Sequence, residues 1–261
     1  MMILSSLYQG NRWLAAVGVL MALSLIPTGL AYLLDARQFN GISVWIKPMK
    51  FQASLAVHLL TVALLLEFLQ EEKRTGRLVF WLAMAMIGTS LFEVIYITYQ
   101  AAQARGSHYN LATPVTAALY SLMGIGAVIL VAATAWIGAL ILRRPARSPV
   151  LAIGAGLGLL LGGILGGITG IWMGGQPGHW VGGMASDAGG LPIVGWARDG
   201  GDLRVAHFFG LHMMQALPLL ALLLGRLNIP QGRAWLFGGA ALGTLVTVAT
   251  LLQAIAGRAF L

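Results

Sequence analysis

Two histidines and a glutamine on an otherwise apolar stretch are the first residues here that could do chemistry. Polar glycine-rich sequence, Gly195-Trp196-Ala197-Arg198-Asp199-Gly200-Gly201-Asp202, runs into Leu203-Arg204-Val205-Ala206-His207-Phe208-Phe209-Gly210-Leu211-His212-Met213-Met214-Gln215. At about 100° per residue, Arg204, His207, His212 and Gln215 fall within an arc of about 140°. The opposite side carries Val205, Ala206, Phe209, Gly210, Met213 and Leu217. Imidazoles at such positions point to metal or haem ligation, or to a proton relay. The spacing His207-x4-His212 is not a zinc-helix motif, which needs four-residue spacing.

Two further stretches carry polar stripes. In the run from Lys47 to Thr61, the residues Lys47, Lys50, Ser54, His58 and Thr61 share an arc of about 80°. Pro48 suits a first helical turn, which places both lysines at a helix mouth. Snorkelling to the interface accounts for lysines there. It does not account for His58, some 16 Å deeper at about 1.5 Å per residue. Thr89, Glu93, Tyr96, Gln100 and Gln103 form the third stripe, again over about 80°. An unpaired carboxylate inside a bilayer costs several kcal/mol, so Glu93 should face the bundle interior and a partner. Depth counting puts His58, Glu93 and His212 at similar levels, roughly 10–16 Å below one boundary, with His207 nearer the surface. The expected site therefore has a cationic mouth of Lys47, Lys50 and Arg204, with Arg105 nearby, and a floor of His58, Glu93, His212 and Gln215.

These stripes need helices that cross a membrane. Of 261 residues, 58% are apolar and only 9% charged, whereas soluble domains carry roughly 25% charged residues. Apolar runs of about 20 residues suffice to cross a hydrocarbon core. About seven such spans can be drawn: Arg12–Leu34, Val44–Leu69, Arg77–Ala102, Pro114–Leu142, Val150–Met173, Leu203–Leu224 and Arg233–Gly257. The expected architecture is an all-α integral membrane bundle forming one domain over residues 1–261. The basic residues Lys73, Arg74, Arg77, Arg143, Arg144, Arg147, Arg226 and Arg233 lie in short tight loops, which the positive-inside rule makes cytoplasmic. The N-terminus is then cytoplasmic and the C-terminus external, and the long loops Asp35–Ser43, Gln103–Thr113 and Gly174–Asp202 face outward. The last exceeds ordinary connection lengths, as a lid or binding loop does. The basic balance reflects loop orientation and not nucleic-acid binding. With no cysteine, disulfides, thiolate metal sites, iron–sulfur clusters and c-type haem are excluded.

In the fifth span, Gly154, Gly158, Gly162, Gly166, Gly170 and Gly174 recur every fourth residue, with Gly163 and Gly167 beside them. Such a ridge lets a backbone approach closely. Helix packing inside the bundle is the plainer expectation; a dimer seam or cofactor face is the alternative.

Trp45-Ile46-Lys47-Pro48-Met49-Lys50-Phe51, Gln100-Ala101-Ala102-Gln103-Ala104-Arg105-Gly106-Ser107-His108-Tyr109-Asn110 and the opening stretch through Pro218 resemble an uncharacterised bacterial family of multi-span integral membrane proteins. The resemblance covers spans two to six. It implies a bacterial inner-membrane setting and no particular chemistry.

The leading expectation is a membrane redox protein holding haem b or a single transition metal. His58 and His212 would be the ligands; Lys47, Lys50, Arg204, His207 and Gln215 would line the cofactor, and Glu93 would handle protons from a quinone partner. A second reading uses His58, His212 and Glu93 as a two-His-one-carboxylate centre of an enzyme acting on a lipid-like substrate. That enzyme would lack a separate base. The third is a proton-coupled transporter, or a non-catalytic subunit of a homo-oligomer or larger membrane complex surrounded by membrane lipids. Each histidine bonding only a neighbouring hydroxyl or carbonyl is the bland alternative to all three.

Overall fold

The computed structural model describes residues 2–146 and 149–261. In chain order it forms α1 (Met2–Leu34), a hairpin of β1 (Gln38–Phe39) and β2 (Ile42–Ser43), and α2 (Ile46–Leu65). A 3-10 turn at Leu66–Phe68 and the single turn α3 (Glu71–Arg74) lead to α4 (Arg77–Ala102), α5 (Pro114–Arg143) and α6 (Pro149–Gly174). Then come β3 (Trp180–Val181), β4 (Gly201–Asp202), α7 (Leu203–Leu211), α8 (Met213–Arg226) and α9 (Gly232–Ile255). Among the described residues six helices are long and apolar enough to cross a membrane, and α7 with α8 makes a seventh span bent by 41°. The chain is thus a multi-span, all-α membrane bundle. Arg147, one of the basic residues used to orient it, lies outside the described residues.

Helix starts follow local chemistry. Asn11 interrupts α1, and its Oδ1 accepts from the Trp13 and Leu14 amides, so the spanning part begins after it as a capped helix. Thr113 and Thr116 cap α5 reciprocally, with Pro114 in the first turn, where proline forfeits no bond. Asp202 caps α7 by accepting the Arg204 amide at 3.0 Å.

The bundle is built in two halves joined along the α5–α6 contact. Leu14, Leu55, Leu59, Val62, Met86 and Ile137 form the core between α1, α2, α4 and α5, and Leu165, Met213, Leu217 and Ala240 form that between α6, α8 and α9. Large apolar side chains such as Leu33, Trp81, Ile95, Ile168 and Leu242 are exposed on the outer faces, as a lipid belt requires.

The glycine ladder packs inside this bundle. A Cβ at Gly158 would meet Met213 O at 3.0 Å and Pro218 Cδ at 2.8 Å, and one at Gly162 would meet Leu211 O at 3.0 Å. Gly166 and Gly170 face Leu211 and His207, while Gly156 and Gly163 face α5 at Leu142 and Val131. Both glycine rows are therefore occupied by neighbouring helices of the same chain.

At one end the three long loops lock together. Asn40-Gly41 turns the β1–β2 hairpin with positive φ at both residues, 52° and 80°, the conformation that asparagine and glycine tolerate. The Asn40 carbonyl accepts from the Asp187 amide at 3.0 Å and from Ser186 Oγ at 3.2 Å. Arg37 pairs with Asp35 at 2.7 Å and donates to the Ala102 carbonyl at 3.1 Å. Tyr109 donates to the Met173 carbonyl and Tyr120 to that of Gly174. Strands β3 and β4 pair Trp180 with Asp202 and Val181 with Gly201, closing the 174–202 loop on itself.

Candidate functional site

The α2 stripe does not converge on one pocket; its members reach different elements. Lys50 donates from Nζ to the Val194 carbonyl of the long loop at 2.9 Å. Ser54 is exposed. His58 is buried with its Nε2 at 2.8 Å from Thr134 Oγ1 on α5. Because Thr134 already donates to the Leu130 carbonyl at 2.9 Å, its oxygen accepts and His58 Nε2 carries the proton. Thr61 accepts from Gln215 Nε2 at 3.0 Å.

The helix bearing His207 and His212 is not one continuous wheel. It breaks at His212, whose ψ is −1°, far from the helical value near −42°. Gly210 and Pro218 flank the break, and Pro218 leaves the Met214 carbonyl without its helical donor. The arc shared by Arg204, His207, His212 and Gln215 therefore splits. His207 Nδ1 lies 3.1 Å from Thr169 Oγ1 on α6, and that hydroxyl donates to the Leu165 carbonyl at 2.7 Å. His212 Nδ1 meets Gln215 Oε1 at 3.0 Å, extending to Thr61 on α2. Each histidine is a pin from one helix to a hydroxyl or amide, and two of the three pins reuse the same threonine device.

Arg204 is not a free mouth cation. Its guanidinium binds Asp202 through Nε and Nη2, Asp187 through Nη1 at 2.9 Å, and the Gly195 carbonyl through Nη2 at 2.7 Å. It latches the long loop to the start of α7.

Glu93 is 5% exposed, and its Oε2 has no hydrogen-bond partner. The charge acting on it is that of Lys47, not of a histidine, whereas His58 senses His212. Of the expected floor, His212 bonds Gln215 and Gln215 bonds Thr61 on α2, His58 bonds Thr134 on α5, and none of these bonds reaches Glu93. Among the described residues no group of three or more His, Asp or Glu side chains is arranged to hold a metal ion.

Lys47 leads to the site that the stripes only hinted at. It lines a cavity of about 210 Å³ at the loop end, whose walls include Arg105, His108, His179, Trp180 and Asp187. Lys47 has no hydrogen bond or ion pair among the described residues; the charges around it are Asp187, Arg204 and Glu93. His179 Nε2 lies 3.2 Å from Asp187 Oδ1. Burial holds His179 below the ordinary imidazole range, against the opposing pull of Asp187. Burial likewise drives His108 well below that range, helped by the charges of Lys47 and His179. Burial alone would raise Asp187, but His179 and Arg204 outweigh it and hold the carboxyl below its ordinary value. Both imidazoles are therefore neutral and the carboxylate is charged at neutral pH.

The chain matches no protein-family model, no curated protein and no solved structure. Chemistry must be read from the cavity itself.

The sequence puts Arg105 near the mouth and makes Gly174–Asp202, which holds His179 and Asp187, a lid or binding loop, but it does not bring His108, His179 and Asp187 together. The available signal was density: histidine, tyrosine and arginine together in one short loop, and an aspartate eight residues after a histidine in another. What the cavity can do follows from its groups. It offers an unpaired ammonium and guanidinium and two neutral imidazoles, and the buried Glu93 carboxyl lies within electrostatic reach of the ammonium.

Proposed function

We propose that the protein is a proton-coupled carrier of a small solute in a bacterial inner membrane, with the loop-end cavity as vestibule and Glu93 as the proton-exchanging group. The supporting observation is the pair Lys47 and Glu93. Both lie in spanning helices, neither has a hydrogen bond or ion pair within 4.0 Å among the described residues, and Lys47 lines the cavity above. Unpaired intramembrane charges of this kind are costly and mark ion or proton pathways.

The test uses purified protein in liposomes with an entrapped pH dye. Benzenesulfonate, succinate, phosphate and glycine are supplied outside in turn. Saturable proton entry that depends on one of them, and is lost in Glu93→Gln, supports the reading. Proton entry with none of them, or undiminished entry in Glu93→Gln, overturns it.

Haem b or one transition metal between His58 and His212 is the second reading. It is favoured by the electrostatic influence of His212 on His58 and by one ring nitrogen on each without a hydrogen bond among the described residues. A quinone would then be the redox partner. That reading requires a pigment or stoichiometric metal in purified protein, lost in either His→Ala variant.

A further inference from the structure

We infer that the loop-end cavity is a binding site for a small organic anion with a compact apolar body, held at its charged end by Lys47 and Arg105. The inference deepens the carrier reading by naming a ligand class, but it concerns binding alone and stands or falls by binding.

Charge decides the class. The one carboxylate on the cavity wall, Asp187, is already spent: Arg204 binds it at 2.9 Å and His179 lies 3.2 Å from it. Two cations on the wall have no such partner, since neither Lys47 Nζ nor the Arg105 guanidinium makes a hydrogen bond or ion pair among the described residues. Trp180, on the same wall, has a buried indole N–H with no acceptor. Lys47, Arg105 and Trp180 thus offer donors with no protein acceptor among the described residues, which a ligand rich in acceptors satisfies. Lys47 is half-buried, so an anion reaching it leaves water and gains more from the charge than at an exposed lysine.

Shape decides the rest. About 210 Å³ holds far more than one water, which is room for a small organic molecule. Phe39, Ile97 and Pro48 share the wall with the cations, so a bare inorganic anion would leave apolar surface against water. A ring or branched body covers it, as in pockets that combine apolar walls with a few convergent polar groups. The rim is fixed by the loops themselves: Asp187 and Ser186 of the long loop hold the Asn40 carbonyl of the hairpin, whose Phe39, Asn40, Ile42 and Ser43 line the cavity as well.

The experiment is calorimetric titration of the detergent-purified full chain with benzenesulfonate, with phosphate and benzylamine as comparison probes. Saturable benzenesulfonate binding is expected, weakened about tenfold or more in Lys47→Met and in Arg105→Gln, because each variant removes one charge-assisted contact. Arg105 is exposed on a loop, so Arg105→Gln reports on binding even where Lys47→Met fails to fold. Absent benzenesulfonate binding, equal binding of benzylamine, tighter binding of phosphate, or unchanged affinity in Arg105→Gln each overturns the inference. Proton entry driven by succinate or glycine in liposomes, with no benzenesulfonate binding, would sink this ligand class and leave the carrier reading standing.

Discussion

His58 Nε2 sits 2.8 Å from Thr134 Oγ1, and the threonine hydroxyl is committed to the Leu130 carbonyl. A buried donor on α2 is thereby matched to a buried acceptor on α5. Thr134→Val keeps the shape and removes the acceptor, leaving the imidazole N–H unsatisfied at about 1–3 kcal/mol. His58→Leu should cost a comparable amount or less. Groups in contact are non-additive, so the double variant should cost clearly less than the sum. Denaturation of all four proteins in one detergent checks this, and strict additivity would mean that the bond contributes nothing.

The glycine ladder gives a second outcome. Gly158→Ala places a methyl against Pro218 Cδ and Met213 O at 2.8 and 3.0 Å, where α6 meets the α7–α8 break. It should lower the melting temperature, since overpacking typically costs about 1–3 kcal/mol. Gly124→Ala on α5 meets nothing within 4 Å. Helix propensity alone then acts, favouring alanine by up to about 1 kcal/mol in soluble helices. Equal melting temperatures for the two variants would contradict the packing.

Acid should loosen the loop end. His179 and His108 have folded pKa values depressed below about 6.5, the unfolded value, chiefly by burial. Between the unfolded and folded values the unfolded chain binds more protons, so stability is full above about pH 6.5 and falls as pH drops below it. Asp187, also depressed, adds a loss in the same direction at lower pH. The melting temperature should fall from about pH 7.5 to about pH 5.5, and His108→Gln should flatten the slope. A melting temperature that rises on acidification would reverse the sign and refute the assignment.

Arg204 should act as a latch. Asp187→Asn weakens its hold on the long loop while sparing its bond to Asp202. Hydrogen exchange of residues 177–200 is expected to speed up, with exchange in α5 and α6 unchanged. Unchanged loop exchange would show that the hairpin contacts at Asn40 suffice alone.

Orientation is open to direct labelling. By the positive-inside rule, the short basic loops are expected inside and the loop end outside. A cysteine placed at Ala188 should react with an impermeant thiol reagent on intact cells, and one at Arg144 should not. The reverse pattern would invert the bundle.

The sequence by itself determined the elements. Apolar runs long enough for a bilayer, Thr113-Pro114 and Asp202 at helix starts, and glycine punctuation all act within a few residues of chain, so the spans were legible. The rise per residue made position along a helix legible as well. Azimuth was not. Which way a stripe points depends on the neighbouring helices, and Thr134, the partner of His58, lies 76 residues away in sequence. Wheel reasoning also assumes an unbroken helix, and the 41° bend at His212 splits the arc from Arg204 to Gln215. The cavity was least legible, because it exists only where three loops meet. Arg204 turns from mouth cation to latch through Asp187, 17 residues earlier in an irregular loop. Lys47 is left unpaired by the same fact, since the carboxylate that could have met it is held elsewhere.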